Sequence, residues 1–558
     1  MESVYDRGLI EVGDNGKFQR YFDFKYNIIV VFLWSMAFMN IVLSLAIMPY
    51  TCKLPEKPQN VSDYEWKAKY LPTRKDVNGE MKFSSCLIYN DPDTTNATKE
   101  CDSYNFDKTW YEWTIPSEKN WVCDKEINVA NIYAYSKISE AFGSVFFGWF
   151  GDVYGRRPTY ILSLTMIVIG RIVSLVAGSS FIVFVIGCII ASLPSWSVPQ
   201  TVSVISMEMS SSSRRTVTTT LRYTAFSIGL AIMPFLYWWL RDWKTFIIVT
   251  TAPLLPFVLL SWKITESPRW MFVEGNAKKC IRTMKKIAQT NDFKLSHDIE
   301  KEMLSTTYSN NAQWFGPFAL FSSKRLALNT ILLLLLWIFV SIMYAVMLLS
   351  VGETSQSNPF LEFSIQSIVE IPSNFLGAWL CDRIGRRRSA VSSLIVIALM
   401  WSVVTFREMS KYLIVIFYRY SNFGIVSIIT PLLTISITFF AINLMNLEIY
   451  PTCLRQSGLS LGNVVSSVSA AISPYILFLG RRVDSRLPGL ILTSVSIFSV
   501  FTSMFLPETL NAKLPETIED AQKFGEKIKK EYSKTLPLYH SPYISLVTDS
   551  LSKKNLKK

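Results

Sequence analysis

Two short basic turns, each set between helix-length apolar runs, restrict what this chain can fold into more than any other feature. The first is GWFGDVYGRRP, Gly148 to Pro158, and the second is LCDRIGRRR, Leu380 to Arg388. In each, an apolar run ends in an aspartate, Asp152 or Asp382. A glycine turn follows, then arginines (Arg156 and Arg157; Arg386 and Arg387), then another apolar run. Asp152 and Asp382 stand 230 positions apart, and so do Gly155 and Gly385. Arginines in a short loop between hydrophobic spans resist translocation, so both loops belong on the cytoplasmic side of a membrane. Two such loops at one offset mean a duplicated bundle of membrane helices.

Composition agrees. Half of the 558 residues are hydrophobic and 14% are aromatic, and the mean hydropathy is +0.26. The apolar residues come in long runs rather than in stripes. The net charge is +13, but lysine and arginine sit between and after the spans. Positive-inside topology therefore explains the charge better than nucleic-acid binding. The polar start, MESVYDRGLIEVGDNGKFQR, lacks a signal peptide's apolar core and cleavage site, so the first span is expected to stay in the mature protein.

Cysteine placement marks an outer segment. Cys52, Cys86, Cys101 and Cys123 lie in one polar stretch after the first span, and four cysteines allow three disulfide connectivities. The stretch also carries two glycosylation sequons, at Asn60 and Asn96. No CxxC spacing occurs and the chain has only two histidines, His297 and His540, so no metal site is expected.

Spans of about 20 residues then divide the chain. Residues 1–26 form a cytoplasmic N-terminus, and 27–263 a first six-helix bundle with the outer loop at 49–126. A basic linker follows at 264–325, then a second bundle at 326–506 and a tail at 507–558. Lys411 to Gly424 fits no span cleanly: LIVIF is apolar and YRYSNFG interrupts it. It extends the tenth span, lies in the interface, or marks a mistaken assignment. The halves share further marks. Glu208 precedes Arg215 by seven residues, as Glu448 precedes Arg455, and ESPRW (Glu266 to Trp270) is answered by Pro507-Glu508-Thr509. The expected fold is all-α: twelve transmembrane helices in two six-helix repeats, the major facilitator arrangement, with substrate held between the halves.

The chain resembles the organic cation, anion and zwitterion transporters of that superfamily from the first span to beyond the last. The resemblance rests on the cysteine-bearing loop, IPSEKNWVCDKE (Ile115 to Glu126), the arginine turns, ESPRW, and the tail PETLNAKLPETIEDA (Pro507 to Ala521). It implies a carrier of small organic ions working by alternating access in the plasma membrane, both termini cytoplasmic. The solute would be a cation or zwitterion, such as an amine or a carnitine-like or beta-amino-acid-like molecule. It also implies gating by Asp152, Arg156, Arg157, Glu208 and Arg215, and by Asp382, Arg383, Arg386, Arg387, Glu448 and Arg455, with the turns holding the halves together in one state.

Three positions depart from the family's pattern. Val153 stands where the first turn usually has arginine, while Asp382-Arg383 is kept in the second. Thr265 stands where a proline usually precedes ESPRW. Ser467 stands where cation carriers usually have aspartate and anion or carnitine-type carriers arginine.

Ionisable groups inside spans are costly and therefore functional candidates. Glu370 in the eighth span is expected to hold an amine and Arg222 in the fifth a carboxylate, which makes the substrate a small zwitterion; the bland alternative is that the two pair with each other or snorkel. Trp337 and Tyr344, one heptad apart in the seventh span, are expected to line the pocket with Ser467. Lys137 and Glu140, three apart in the second span, are expected to pair along their helix.

Driving force would come from the membrane potential, an exchanged solute or a co-ion. The expected partners are thus a small organic ion and the bilayer, with no nucleic acid. No GxxxxGK[ST], HExxH or nucleophile elbow occurs, so neither ATP drive, an enzyme nor a cofactor is expected. The competing readings are a sugar or neutral-solute carrier, and a non-transporting receptor or scaffold on the same fold.

Overall fold

In hydrocarbon every backbone N–H and C=O must be satisfied within its own segment, so the apolar runs fold as helices. The computed structural model describes residues 4–58, 62–75, 81–90, 97–177, 180–194, 196–210, 212–305, 320–350, 358–409, 423–450, 455–484 and 486–510. The sequons Asn60 and Asn96 and nearly all of the awkward 411–424 stretch lie outside these.

The chain opens with α1 (Val4–Glu11) and α2 (Lys17–Phe22). A π-helical stretch (Asp23–Val30) then leads into α3 (Val31–Ser44). The extracellular domain carries α4 (Asp63–Tyr70) and α5 (Ile115–Lys119). It also carries six short strands: β1 (Tyr50–Cys52), β2 (Thr73–Lys75), β3 (Met81–Phe83), β4 (Leu87–Tyr89), β5 (Thr98–Glu100) and β6 (Tyr104–Phe106). They pair antiparallel as β1–β6, β2–β3 and β4–β5. Such small ladders bury little, and two disulfides, Cys52–Cys101 and Cys86–Cys123, staple the domain.

The first bundle continues with α6 (Ile127–Val153), α7 (Arg156–Val176), α8 (Phe181–Ser192), α9 (Ser197–Glu208), α10 (Ser212–Leu240), α11 (Trp243–Thr251) and α12 (Leu255–Leu260). The linker holds α13 (Pro268–Val273), α14 (Ala277–Asn291) and α15 (His297–Ser305). The second bundle is α16 (Lys324–Leu349), α17 (Pro359–Ile384), α18 (Arg386–Met409), α19 (Phe423–Ile449), α20 (Arg455–Ala470), α21 (Ser473–Arg482) and α22 (Leu487–Met504).

Among the described residues eight helical stretches are long and apolar enough to cross a membrane. Four further helices, α6, α17, α18 and α19, have 24 to 27 residues. Charges dilute the hydropathy of the first three, among them Lys137 and Glu140 on α6, Glu370 on α17 and Arg386 to Arg388 on α18. The halves meet where α6 packs on α20 and α10 on α17.

The first membrane helix begins at Lys17, ten residues before the apolar run. Gln19, Asp23 and Asn27 make this added stretch polar in sequence, but they are buried and bonded. Gln19 donates to the Met209 carbonyl at 3.1 Å, Ser206 donates to Asp23 at 2.5 Å, and Ser203 donates to Asn27 at 3.0 Å. The segment before it is docked. Tyr5 is 2% exposed and donates to the Glu208 carbonyl at 2.7 Å. The Asn291 amide bonds the carbonyls of Val12 and Gly13, both at 3.0 Å. The buried stripe of α14 (Cys280, Ile281, Met284, Ile287, Ala288) belongs to the same core as Tyr5 and Leu9.

Candidate functional site

Glu370 sits midway along α17 and is 8% exposed. Two hydroxyls hold its carboxylate: Tyr344 of α16 at 2.8 Å and Ser227 of α10 at 3.1 Å. Among the described residues no lysine or arginine nitrogen lies within 4.0 Å of it. Tyr344 and Trp337, seven residues apart on α16, both meet Phe439 of α19 edge-on, at 5.4 and 5.8 Å between ring centroids.

The Trp337 Nε1 and the Asn446 amide are buried and, among the described residues, have no hydrogen-bond partner. They converge on Gly462, where an added Cβ would lie 3.0 Å from Nε1 and 3.3 Å from the Asn446 nitrogen. Ser467 is 6% exposed on α20. Its neighbour Ser466 bonds Ser341 of α16 at 2.6 Å.

Arg222 is not brought onto Glu370. Its guanidinium stacks 4.6 Å from the ring of Tyr223, half-buried on α10. The reason is helical: Ser227 lies five residues on, about 140° around the axis, and it is Ser227 that faces α17. The two groups expected either to share a zwitterion or to pair therefore do not pair. Lys137 bonds Glu140 at 2.9 Å along α6. Buried Arg171 donates to the carbonyls of Ala37 and Phe38, at 3.1 and 2.8 Å, and so ties α7 to α3. Sequence reading missed Ser227, Phe439 and Asn446. Hydroxyls and aromatics are common in such spans, so only the packing singles these out.

The arginine turns are built alike. Gly155 (φ +102°) and Gly385 (φ +107°) start α7 and α18 in a conformation that side chains avoid. The Glu266 carboxylate caps α7, accepting from the backbone N–H of Arg156 and of Arg157, both at 3.0 Å. Glu508 caps α18 through the Arg386 N–H at 2.8 Å. A carboxylate there also meets the positive end of the helix dipole.

The Arg386 guanidinium is held by both Glu448 oxygens, at 3.0 and 3.1 Å, and approaches Asp382 at 3.6 Å. Arg156 faces Glu208 at 3.8 Å. Ser267 donates to Glu208, and Thr509 to Glu448 at 2.5 Å. The Arg157 side chain reaches the Trp262 carbonyl, Arg383 stacks over Trp379 at 5.2 Å, and Arg387 lies in the first turn of α18. Each of these contacts stays within its own half. The side chains of Asp152, Arg215 and Arg455 lie outside the described set.

Both halves thus carry the same turn architecture, and a match over most of the chain decides what it belongs to. Residues 30–520 match the family model for sugar (and other) transporters. The chain belongs to this family, within the major facilitator superfamily. It is a multi-pass membrane transporter and not an enzyme.

Its relatives in this family include an organic cation transporter-like protein of Drosophila melanogaster, 26% identical over 94% of each chain. A beta-alanine transporter of the same fly is 24% identical over 93% of this chain and 89% of its own. The human organic cation/carnitine transporter 2 is 24% identical over 95% and 96%. The fold matches the xylose transporter XylE from E. coli in a partially occluded inward open conformation. That match has a TM-score of 0.56 and 15% identity and covers 88% of this chain and 99% of that one.

Proposed function

We propose that the chain is a plasma-membrane carrier, both termini cytoplasmic, that moves a small organic ammonium compound, a cation or a zwitterion, by alternating access. One observation carries this reading: a buried carboxylate, Glu370, that meets two hydroxyls and, among the described residues, no cation, at the seam between the halves. A buried charge left without a partner costs several kcal/mol, on the order of what a substrate's ammonium group would offset. The rings of Tyr344, Trp337 and Phe439 add cation–π attraction beside it.

Glu370 draws its partners from both halves, Ser227 from the first and Tyr344 from the second. A bound ammonium here stabilises the state in which both halves close on it, as transport by rocking requires. The Trp337 and Asn446 donors offer a place for an acceptor at a substrate's other end, an alternative to Arg222 for a zwitterion's carboxylate. The membrane potential, an exchanged solute or a co-ion supplies the drive.

The test is uptake of mixed cations, anions, zwitterions and sugars by cells expressing the chain, read by mass spectrometry, in wild type, Glu370→Gln and Arg222→Gln. Uptake of ammonium compounds that Glu370→Gln abolishes supports the proposal. Zwitterion uptake that Arg222→Gln also abolishes gives Arg222 the carboxylate. Anion-only uptake overturns the proposal. The sugar-transporter family model and the xylose-transporter fold favour a second reading, a neutral-solute carrier, and sugar uptake insensitive to Glu370→Gln would establish it.

A further inference from the structure

Beneath the extracellular domain lies a cavity of about 550 Å³, walled by that domain and by the outer ends of both bundles. Six aromatic residues line it, Tyr50, Trp110, Tyr111, Tyr133, Phe363 and Phe478, together with two carboxylates, Asp107 and Glu126. Among the described residues no lysine or arginine lines it. The charged side chains of the described lining are thus acidic, in a chain of net charge +13.

We propose that this chamber is a second, outer site that collects organic ammonium ions ahead of the Glu370 site. The inference rests on the carrier reading above and deepens it.

Position is the first support. Phe363 lines the chamber from α17, and Glu370 follows seven residues further along that helix, about 10 Å. Leu348 lines it from α16, one turn beyond Tyr344. A solute in the chamber therefore lies one to two helical turns above the Tyr344–Glu370 pair.

Chemistry is the second support. Ring faces attract quaternary and protonated amines, and the volume suits a small solute. Hydrogen bonds from the Thr109 hydroxyl and backbone N–H hold the Asp107 carboxyl below the ordinary carboxylate range, so it stays charged at neutral pH. Burial, and the Glu362 carboxylate nearby, push the Tyr111 phenol well up, so it stays neutral. A concave site of one sign between low-dielectric walls concentrates counter-ions by roughly 10-fold or more.

Construction is the third support. The wall is braced from both sides: Tyr133 donates to the Val42 carbonyl at 2.9 Å, and Tyr111 packs on Phe360 of the second half at 4.8 Å.

The test places one cysteine in the wall, Ala130→Cys, in a Glu370→Gln background, on intact cells. Membrane-impermeant methanethiosulfonates of opposite charge, trimethylammonium-ethyl and sulfonato-ethyl, are compared at that cysteine. The same background with Ala130 retained is the control. The proposal expects the cationic reagent to react at least ~10-fold faster after correction for intrinsic reactivity. Asp107→Asn and Glu126→Gln should each lower that ratio about 3-fold or more. Trimethylphenylammonium should protect the introduced thiol, and benzenesulfonate should not.

A ratio near one, a ratio indifferent to the carboxylates, or no reaction with either reagent would each overturn the proposal. If Glu126→Gln fails to reach the surface, Asp107→Asn decides alone. Because the background lacks the Glu370 carboxylate, the result reports on the chamber and is independent of whether Glu370 binds substrate.

Discussion

Glu370 is visible in the sequence as an acid inside a span, because the cost of burying a charge makes such a residue conspicuous. Its partners are not visible there. A pocket-lining Tyr344 can be expected from sequence, but its hydrogen bond to Glu370 depends on how α16 and α17 sit side by side. Tyr344→Phe removes that donor and leaves the ring on Phe439. We expect KM for an ammonium substrate to change by about 10- to 100-fold with little loss of surface protein, the scale of one hydrogen bond to a charged group. Flux and surface labelling, measured together, check this. Arg171→Met is expected to act differently. It removes two bonds to α3 carbonyls, costing roughly 1–3 kcal/mol, and so lowers the melting temperature in detergent without moving KM.

At the scale of elements, the repeated turns are legible because their marks are local: an acid, a glycine, two arginines. The carboxylate caps are not, since Glu266 lies 110 residues from the Arg156 N–H that it accepts. The two caps also differ. Glu266 spans two backbone N–H groups of α7, whereas on α18 Glu508 takes one and leaves its Oε2 without a partner among the described residues. Glu266→Gln is therefore expected to destabilise the protein more than Glu508→Gln, each within about 0.5–2 kcal/mol. Paired melting curves check the order. Gly385→Ala should do more harm than Glu508→Gln, because the added Cβ would sit 2.5 Å from the Glu508 carboxylate and the φ of +107° is itself strained.

For the whole molecule, the disulfides and the docked N-terminus tie parts that the membrane does not hold. Cys52–Cys101 closes a loop with a sequence separation of 49 residues. By chain entropy such a closure contributes about 4 kcal/mol to the domain that contains it. Replacing both cysteines with serine is expected to expose the extracellular domain to protease while the membrane bundles keep their melting behaviour. Removing residues 2–12 uncovers the apolar faces of α14 and α15 and removes Tyr5 from the Glu208 carbonyl. A fall of several degrees in melting temperature is expected, and surface expression with circular dichroism would check it.

By itself the sequence determined the class of this protein: twelve apolar segments, basic turns, a duplication and a cysteine-bearing loop. These are properties of composition and order, and the bilayer acts on them segment by segment. It also marked Glu370 as a candidate, since burying a charge is costly wherever the helix lands. Only the tertiary structure decided which cysteines pair, which of two charged residues faces the seam, and that Glu266 and Glu508 cap distant helices. Those outcomes depend on rotation and contact between segments far apart in the chain. A turn of about 140° along α10 puts Ser227 on Glu370 and leaves Arg222 on Tyr223.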